Sequence, residues 1–519
     1  MSARSHFPHA PATNSPCPFS SSPILAITQP LLTSPATMGN ARQPLLDASP
    51  YSRSSTRGSM SDMTPSQIVR SFLLMSICFS ANHGAVTACL GLASARLGDL
   101  TYLDADLGTW QNGTLYTFYT LSAVFGATYV VDRLGSRNGI LAGVSIYCVY
   151  VCCFLVASLV SDANKWPVAL IGAAIGGVGG GFLWTAQGAY FGKTAAAYAL
   201  ACDIPKEDAT AYLGGLFAFF YLSEEVALKL LSTLITQVLE LDWLVVFISY
   251  SVIAFLSAVG ILFVYKFPEE AAKENDKKDF CYKVTAATRL LTTDTKMPLM
   301  IPMNAVFGFA AAFLNSYVTG QVIHFATTAP GADPVNGLDN YVGTFTAIPA
   351  AVAAVMSLIL GKVAAKTGKG PILIGGACAF AALASVFLIR PGLDDWGWAP
   401  LITVFILMGM GRATFESTLR ATFADFFSSN LPGAFANIIL QSGLSSAFAF
   451  FAFPHITCDE ESDYCVEYKG NGGLHNVLAL ELIVIVTALL AILGYWKASK
   501  IRDREILEEK EGGDLVEKV

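Results

Sequence analysis

The sequence predicts an all-α integral membrane protein whose helices form two halves of similar size. Three observations support this fold class. Hydrophobic residues make up 54% of the 519 residues and charged residues 14%, whereas a soluble domain carries about 25% charged residues. Apolar runs of ~20 residues or more, each long enough to cross a bilayer, recur between short polar loops. A glycine-rich motif in the first half also has a weak copy in the second, and such internal repeats are common in transporters.

The apolar runs predict about twelve membrane-spanning helices, six in each half. The mean hydropathy of +0.53 agrees with a chain that lies mostly in the bilayer. The runs cover residues 70–95, 110–131, 138–160, 166–192, 209–236 and 242–266 in the first half, and 297–325, 341–361, 370–391, 397–424, 431–454 and 473–496 in the second.

Polar segments divide the chain into five parts. These are a Ser- and Pro-rich tail at 1–65, a six-helix half at 66–266, a charged linker at 267–296, a second six-helix half at 297–496, and a charged tail at 497–519. The first tail has too few apolar residues to build a core, so we expect it to be disordered. Its Ser and Arg content with little acid also fits an organelle transit peptide.

The distribution of basic residues predicts the orientation, because cytosolic loops carry an excess of Lys and Arg. With the N-terminus in the cytosol, the outside loops hold only Arg96, Lys165, Arg390 and Lys469. The inside loops then hold most of the basic residues, together with the linker and the last tail: Arg133, Arg137, Lys193, Lys206, Lys362, Lys366 and Lys369. Both termini are therefore expected to be cytosolic.

The glycine-rich motif is Gly176–Tyr190, which reads GGVGGGFLWTAQGAY, and its weak copy is Gly409–Phe423. Glycines in a membrane helix let a neighbouring backbone approach closely, so tight packing is one interpretation of the motif. Trp184 and Gln187 lie one turn apart on one helix face, where they could instead line a cavity. The repeat aligns Trp184 with Glu416.

Ionisable residues at bilayer depth form the main candidate site, since each costs at least ~2.5 kcal/mol to insert. Glu224, Glu225 and Arg412 fall near the midplane, and Arg412, Glu416 and Arg420 share one helix face at i, i+4 and i+8. Three interpretations stay open: an ion-pair ladder that fixes packing, a site for a substrate or coupling ion, and a partner-binding surface. We expect Arg412 to pair with Glu416, with Glu224 or Glu225 as a second contact.

Asn82 and His83 lie at mid-depth in the first run, where they would face the same central space. A buried histidine there is either a hydrogen-bonded packing residue or a proton carrier. The amides and hydroxyls of the seventh and eleventh runs can hydrogen-bond between helices, which is the usual role of such groups in membranes.

Several classes of function are excluded by the sequence. No nucleophile has a base at motif spacing, and no phosphate-binding loop or metal-ligand cluster occurs, so neither an enzyme nor a cofactor or metal site is expected. The net charge of −7 and the lack of a basic stripe argue against nucleic-acid binding.

A disulfide is predicted for the outer side, where a candidate glycosylation site also lies. Cys458 and Cys465 share one polar loop, CDEESDYC, and could form a disulfide there, although two free thiols are the alternative. Asn112 begins the one usable glycosylation sequon.

Two loops carry a signature that resembles the major facilitator superfamily. The first contains Asp132, Arg133 and Arg137, and the second contains Lys366 and Lys369 but has Ala365 where the acid belongs. The resemblance implies the twelve-helix facilitator fold, in which these residues latch the cytoplasmic ends of the two halves. It also implies that only the first copy latches by charge. In that fold the first, fourth, seventh and tenth helices line the central cavity, so the Arg412 face is expected there.

A narrower resemblance covers about residues 68–455. The segment LWTAQGAY preceded by G-x-G, and LMIPMNAVFGFAAAF beginning at Leu299, look like the Unc-ninety-three family of ion channel regulatory proteins. The resemblance implies regulation or escort of another membrane protein, such as a cation or potassium channel. The alternative is a secondary transporter of a small polar solute or ion. The predicted location is multi-pass in a membrane, either the plasma membrane or an endomembrane.

The orientation can be tested with accessibility tags. Tags placed in the 267–296 linker and after Val519 should both react only from the cytosolic side, because the basic loops are retained there. A tag at either position that reacts from outside would overturn the predicted topology.

Overall fold

The structure is a computed structural model that describes residues 63–97, 101–102, 105–267, 285–322, 342–390, 398–456 and 478–516. Within these ranges the chain is helical, apart from one short antiparallel hairpin that pairs β1 (Thr101–Tyr102) with β2 (Ala105–Asp106). The predicted disulfide between Cys458 and Cys465 lies outside the described residues, as does most of the tail at 1–65.

The first half is built from helices of 8 to 41 residues. In chain order they are α1 (Pro65–Leu97), α2 (Leu107–Phe125), α3 (Ala127–Leu134), α4 (Ser136–Leu159), α5 (Asp162–Cys202), α6 (Lys206–Thr233) with a π turn at Leu234–Val238, and α7 (Trp243–Ile261). Helices α2 and α3 correspond to one predicted run, interrupted at Gly126.

The second half begins after a short helix, α8 (Ala286–Thr293), that lies in the predicted linker. The remaining helices are α9 (Lys296–Ala312) with a π segment at Phe313–Val322, α10 (Val342–Thr367), α11 (Gly370–Ile389), α12 (Trp398–Ala413), a π turn at Thr414–Leu419, α13 (Arg420–Phe426), a 3-10 turn at Ser428–Asn430, α14 (Leu431–Ile456) and α15 (Leu478–Val516).

The hydropathy pattern locates these helices well. In the described part of the chain, ten helices are long and apolar enough to cross a membrane. The predicted runs at 110–131 and 209–236 are helical but fall short of that standard. The sequence therefore predicts the helical membrane architecture correctly, while the exact number of spans and the side of each terminus remain predictions.

Two pairs of helices make the most extensive contacts between the halves: α6 packs against α10, and α2 packs against α14. The first pair approaches at backbone distance. A Cβ atom on Gly215 would lie 2.9 Å from the carbonyl oxygen of Ser357, and one on Gly361 would lie 3.1 Å from that of Ala211. Small residues permit such contact, and van der Waals packing of this kind holds helices together in lipid.

The glycines of α5 have the packing role that one interpretation of the motif assigned to them. A Cβ on Gly177 would lie 2.3 Å from the carbonyl oxygen of Leu115 in α2, and one on Gly179 would lie 2.6 Å from Ile146 in α4. The glycine stripe therefore lets α5 touch two neighbours at once, and this packing positions Trp184 and Gln187 one to two turns further along the helix.

Asn112 lies inside the bundle and not on its surface. Its side chain is buried, and its amide donates a hydrogen bond of 3.3 Å to the carbonyl oxygen of Leu90. An amide held in this way is not available to accept a glycan, so the structure argues against use of the sequon.

Substitution of Gly177 tests the close packing of α5. Gly177→Ala should lower the thermal stability of the detergent-purified protein by about 1–3 kcal/mol, because the new methyl group meets a backbone oxygen that cannot rotate away. Gly375→Ala is the matched control, since a Cβ there meets nothing within 4 Å. Equal melting temperatures for the two variants would refute the packing role.

Candidate functional site

Five charged side chains meet where the two halves touch, and we call them the central charge cluster. Glu225 and Lys229 come from α6, while Arg412 lies in the last turn of α12 and Glu416 and Arg420 follow in the next turns. Each side chain is at most 12% exposed. Charges at this depth are costly unless they are paired, so the pairings determine what the cluster can do.

Arg412 and Glu225 form a two-pronged ion pair between the halves. Arg412 Nη1 donates to Glu225 Oε1 at 2.8 Å, and Nη2 donates to Glu225 Oε2 at 2.5 Å. Nη2 also donates to the hydroxyl of Tyr221 at 3.2 Å. Two parallel bonds match the fork of a guanidinium to a carboxylate, which makes this geometry strong and specific.

Lys229 is a second cation on the same carboxylate. Its Nζ lies 2.7 Å from Glu225 Oε1, one turn away on α6, and donates to the carbonyl oxygen of Thr346 in α10 at 3.1 Å. Glu225 therefore has one partner in its own half and another, Arg412, in the opposite half.

Arg420 makes a second contact between the halves. Its Nη2 lies 3.0 Å from Glu416 Oε2 within the second half. Its guanidinium carbon lies 4.1 Å from the ring centroid of Trp184 in the first half. A cation over an indole face is attracted by the ring quadrupole, so Trp184 and Glu416, the two residues that the repeat aligns, hold Arg420 together.

The predicted pairing of Arg412 with Glu416 is wrong in its partner. Arg412 binds Glu225, and Glu416 binds Arg420. The Glu416 carboxylate, which lies in the π turn at Thr414–Leu419, is directed to Arg420 one turn further along. The fork of Arg412 is then filled by a carboxylate at the same depth on α6.

Glu225, and not Glu224, is the acid that enters the cluster. Adjacent residues on a helix point about 100° apart, so only one of the pair can face the other half. Glu224 is partly exposed, and in the part of the chain that the structure describes it makes no ion pair. The sequence alone could not decide between the two.

His83 and Asn82 separate in the same way. His83 lies among four aromatic rings, those of Phe79, Tyr147, Trp184 and Tyr221, with centroid distances of 5.9, 5.5, 5.0 and 5.3 Å. It therefore lies behind the two rings that contact the arginines. Asn82 was expected to face the centre, but it donates to the carbonyl oxygens of Ala254 at 2.9 Å and Val144 at 3.3 Å, both in the first half. Asn82 is a packing residue.

Gln187 completes the lining of the centre. It is buried, and its Oε1 has no hydrogen-bond partner within the described chain. It faces a gap between the halves that is too narrow for a water molecule, so the centre is closed in this structure. The gap is lined by Gln187, Phe191, Gly214, Phe217, Glu416, Arg420 and Phe435.

One end of the bundle, which we call the latch end, is closed by a polar cluster around Asp425. Lys369 pairs with Asp425, and Thr210 of the first half donates to Asp425 Oδ1 at 3.1 Å. Lys369 also donates to Thr210 at 3.1 Å, and Lys206 donates to the carbonyl oxygen of Ala424 at 3.4 Å. The latch end therefore joins the halves by hydrogen bonds, while its ion pair lies within the second half.

The expectation that the first loop copy latches the halves by charge stays a prediction, and the second copy forms an ion pair that lies within the second half. Lys369 of the second copy takes its acid from the end of the tenth run, Asp425, in place of the missing loop acid. In the first copy, Arg133 lies 5.5 Å from the Tyr129 ring, and Arg137 donates to Asn138 and to the carbonyl oxygen of Leu262, all within the first half. Lys366 and Asp132 are exposed.

Three residues of the site were not predicted as site members: Lys229, Tyr221 and Asp425. Lys229 had a signal, since a lysine four residues after Glu225 on a membrane helix is an intrahelical pair. Asp425 lies one residue past the predicted tenth run and one residue before the end of its helix. Within the described ranges, no group of three or more His, Cys, Asp or Glu residues could hold a metal ion.

Comparison with known proteins agrees with this architecture. The family model for the Major Facilitator Superfamily matches residues 72–452. The chain belongs to the Major Facilitator Superfamily. Solved members share the fold: the proton:xylose symporter XylE superposes with a TM-score of 0.58 at 15% identity over 83% of this chain and 95% of that one, and the E. coli fucose:proton symporter FucP with a TM-score of 0.55 at 14% identity over 83% and 99%.

The curated relatives place this facilitator among the UNC93 proteins. Protein unc-93 homolog A of Xenopus laevis is 25% identical over 429 residues, which cover 74% of this chain and 85% of that protein. UNC93-like protein 3 of Arabidopsis thaliana is 23% identical over 375 residues, which cover 69% and 76%. The predicted resemblance to the Unc-ninety-three family is confirmed.

Charge removal tests the pairing in the centre. Glu225→Gln should destabilise the purified facilitator by about 3–5 kcal/mol, because it leaves Arg412 buried without its carboxylate. Arg412→Met combined with Glu225→Gln should recover part of that loss in melting temperature, since Arg412 is then removed but Lys229 still lacks its carboxylate.

Glu224→Gln is the control for this comparison, because the neighbouring acid is partly exposed and outside the cluster. Its free energy of unfolding should lie within ~0.5 kcal/mol of that of the wild type. A Glu225→Gln variant as stable as Glu224→Gln would contradict the assignment of Glu225 as the partner of Arg412.

Proposed function

We propose that this facilitator is a secondary transporter of a small polar solute, which reaches the central charge cluster from one side of the membrane at a time. The observation that carries the proposal is the ion pair between Arg412 and Glu225, because it joins the two halves at the middle of the bundle. In this architecture transport requires the halves to rock about a central site. A contact that both halves share is therefore made and broken in every cycle.

The pairing pattern limits the free-energy cost of separating Arg412 from Glu225. When the halves part, Glu225 keeps Lys229 on its own helix and Glu416 keeps Arg420. Breaking a buried pair costs several kcal/mol when a charge is left dry, but water enters an opening centre and solvates the exposed fork of Arg412. Each half thus retains an internal pair.

The two ends of the bundle support alternation. The latch end is held by Thr210, Lys369 and Asp425. At the other end α6 meets α10, where a Cβ on Gly343 would lie 2.9 Å from Ser232 Oγ. The structure is closed at the centre between these contacts, as expected of an occluded intermediate that opens at either end.

The second candidate is regulation or escort of another membrane protein, such as a cation channel. The tight closure of the centre favours it, since a gap too narrow for water suits a permanently closed scaffold. Under this alternative the charge cluster is a fixed clasp between the halves and never meets water.

Thiol accessibility distinguishes the two functions without knowledge of the solute. Gln187→Cys, placed in the centre of the closed gap, should react with a membrane-impermeant maleimide from both sides of the membrane. A disulfide between Ser232→Cys and Gly343→Cys should abolish the reaction from the Ser232 side alone, and reduction should restore it. Peptide mass spectrometry measures labelling at residue 187 separately from the native cysteines.

A disulfide within one half is the matched control. Gly260→Cys would place its Cβ 3.6 Å from that of native Cys78, which suits a disulfide between α7 and α1. This bond should leave labelling from both sides unchanged. No labelling of residue 187 from either side would contradict transport and favour the fixed scaffold.

A further inference from the structure

The charges of the central cluster are divided unequally between the halves. The first half contributes one acid and one base, Glu225 and Lys229, and is neutral. The second half contributes Arg412, Glu416 and Arg420, and therefore carries one excess positive charge. Among the described residues, no other ionised side chain forms an ion pair with these five. The closed centre thus holds a single uncompensated cation.

Separation of the halves places this excess charge on one residue. Glu225 leaves with Lys229, and Arg420 stays with Glu416, so Arg412 alone loses its carboxylate. Its guanidinium keeps the two forward N–H groups that now bind Glu225, and its buried Nε has no hydrogen-bond partner in the described part of the chain. An open centre consequently presents an empty fork that is shaped for a carboxylate.

The surroundings of the fork are largely aromatic. The ring of Tyr221 lies 5.7 Å from the guanidinium carbon of Arg412, and its hydroxyl accepts from Nη2. The Phe217 ring stacks on Tyr221 with centroids 5.8 Å apart, and Phe217 lines the gap beside Glu416 and Arg420 together with Phe191 and Phe435. A pocket of this kind buries an apolar body and orients it by a few polar groups.

We infer that the transported solute is a small organic monocarboxylate with an apolar body, which binds the fork of Arg412 in the place that Glu225 takes when the centre is closed. The inference rests on the proposed transport function and names its substrate class. One carboxylate neutralises the single excess charge, so a monoanion fits the cluster better than a dianion. Glu225 occupies the fork in the closed centre without solute, and it therefore competes with the solute for Arg412.

Benzoate and benzamide are the probes that test this inference, because they have nearly the same shape and differ in charge. At constant ionic strength, benzoate should raise the melting temperature of the full-length protein in lipid nanodiscs, since a ligand that binds the folded state stabilises it. Benzamide, chloride and phosphate should have no comparable effect. Equal stabilisation by benzamide or by chloride would overturn the assignment of a carboxylate.

Two variants locate the binding group. Glu225→Gln removes the internal competitor, so the concentration of benzoate that gives half of the maximal stabilisation should fall by about tenfold. Arg412→Lys keeps the positive charge but loses the fork, so that concentration should rise by about tenfold. Unchanged benzoate affinity in Arg412→Lys would overturn the site, and Glu224→Gln is the control that should behave as the wild type.

The thiol-labelling and benzoate experiments together distinguish a failure of this inference from a failure of the proposed function. If Gln187→Cys reacts from both sides but benzoate does not stabilise the protein, the substrate class is wrong while transport stands. If Gln187→Cys reacts from neither side, both proposals fail. Protection of Gln187→Cys from the maleimide by benzoate, and not by benzamide, supports both at once.

Discussion

A buried arginine in a membrane protein has to be paired, and the pairing of Arg412 with Glu225 is the contact on which the arrangement of the two halves depends. The arginine lies in the last turn of one helix of the second half and the acid lies on α6 of the first, so Arg412 has its carboxylate only when the halves meet in this register. Lys229 and Arg420 extend the constraint, since each pairs with an acid of its own helix and also touches the other half. Removing one partner of a buried ion pair leaves the other charge unpaired in a dry interior, which is costly. The cluster therefore favours one arrangement of the two halves.

Close packing brings these charges within reach. The glycines of α5 allow it to touch α2 and α4, and this places Trp184 under the guanidinium of Arg420. The glycines of α6 and α10 likewise bring two backbones from opposite halves into contact. In lipid no hydrophobic force draws helices together, so small residues and polar contacts share that task. A polar contact also joins the halves at the latch end, where Thr210 donates a hydrogen bond to Asp425.

The sequence predicts the positions of the helices because the bilayer sets their length and polarity, and the family resemblance holds for the same reason. It does not decide side-chain direction. Asn82 and His83 are neighbours at one depth, yet only His83 faces the aromatic rings beside the cluster. The partner of Arg412 depends on the approach of α6 from the other half, and the role of Asp425 depends on the approach of Lys369 from another helix. These features arise from helix packing, which periodicity cannot supply.

The central claim is that the pair between the halves is a contact that opens and not a permanent clasp. Pulsed electron paramagnetic resonance tests it directly by measuring distances between pairs of spin labels. One pair lies near the latch end, at exposed Asp203 and Lys366. At the opposite end of the bundle, labels at exposed Ala163 and Asn164 are each paired with a label at exposed Ile389. The account predicts two distance populations at each end in the wild type, and a shift toward the longer distances when Arg412→Met is combined with Glu225→Gln. A single distance at both ends that this double substitution leaves unchanged would contradict the account.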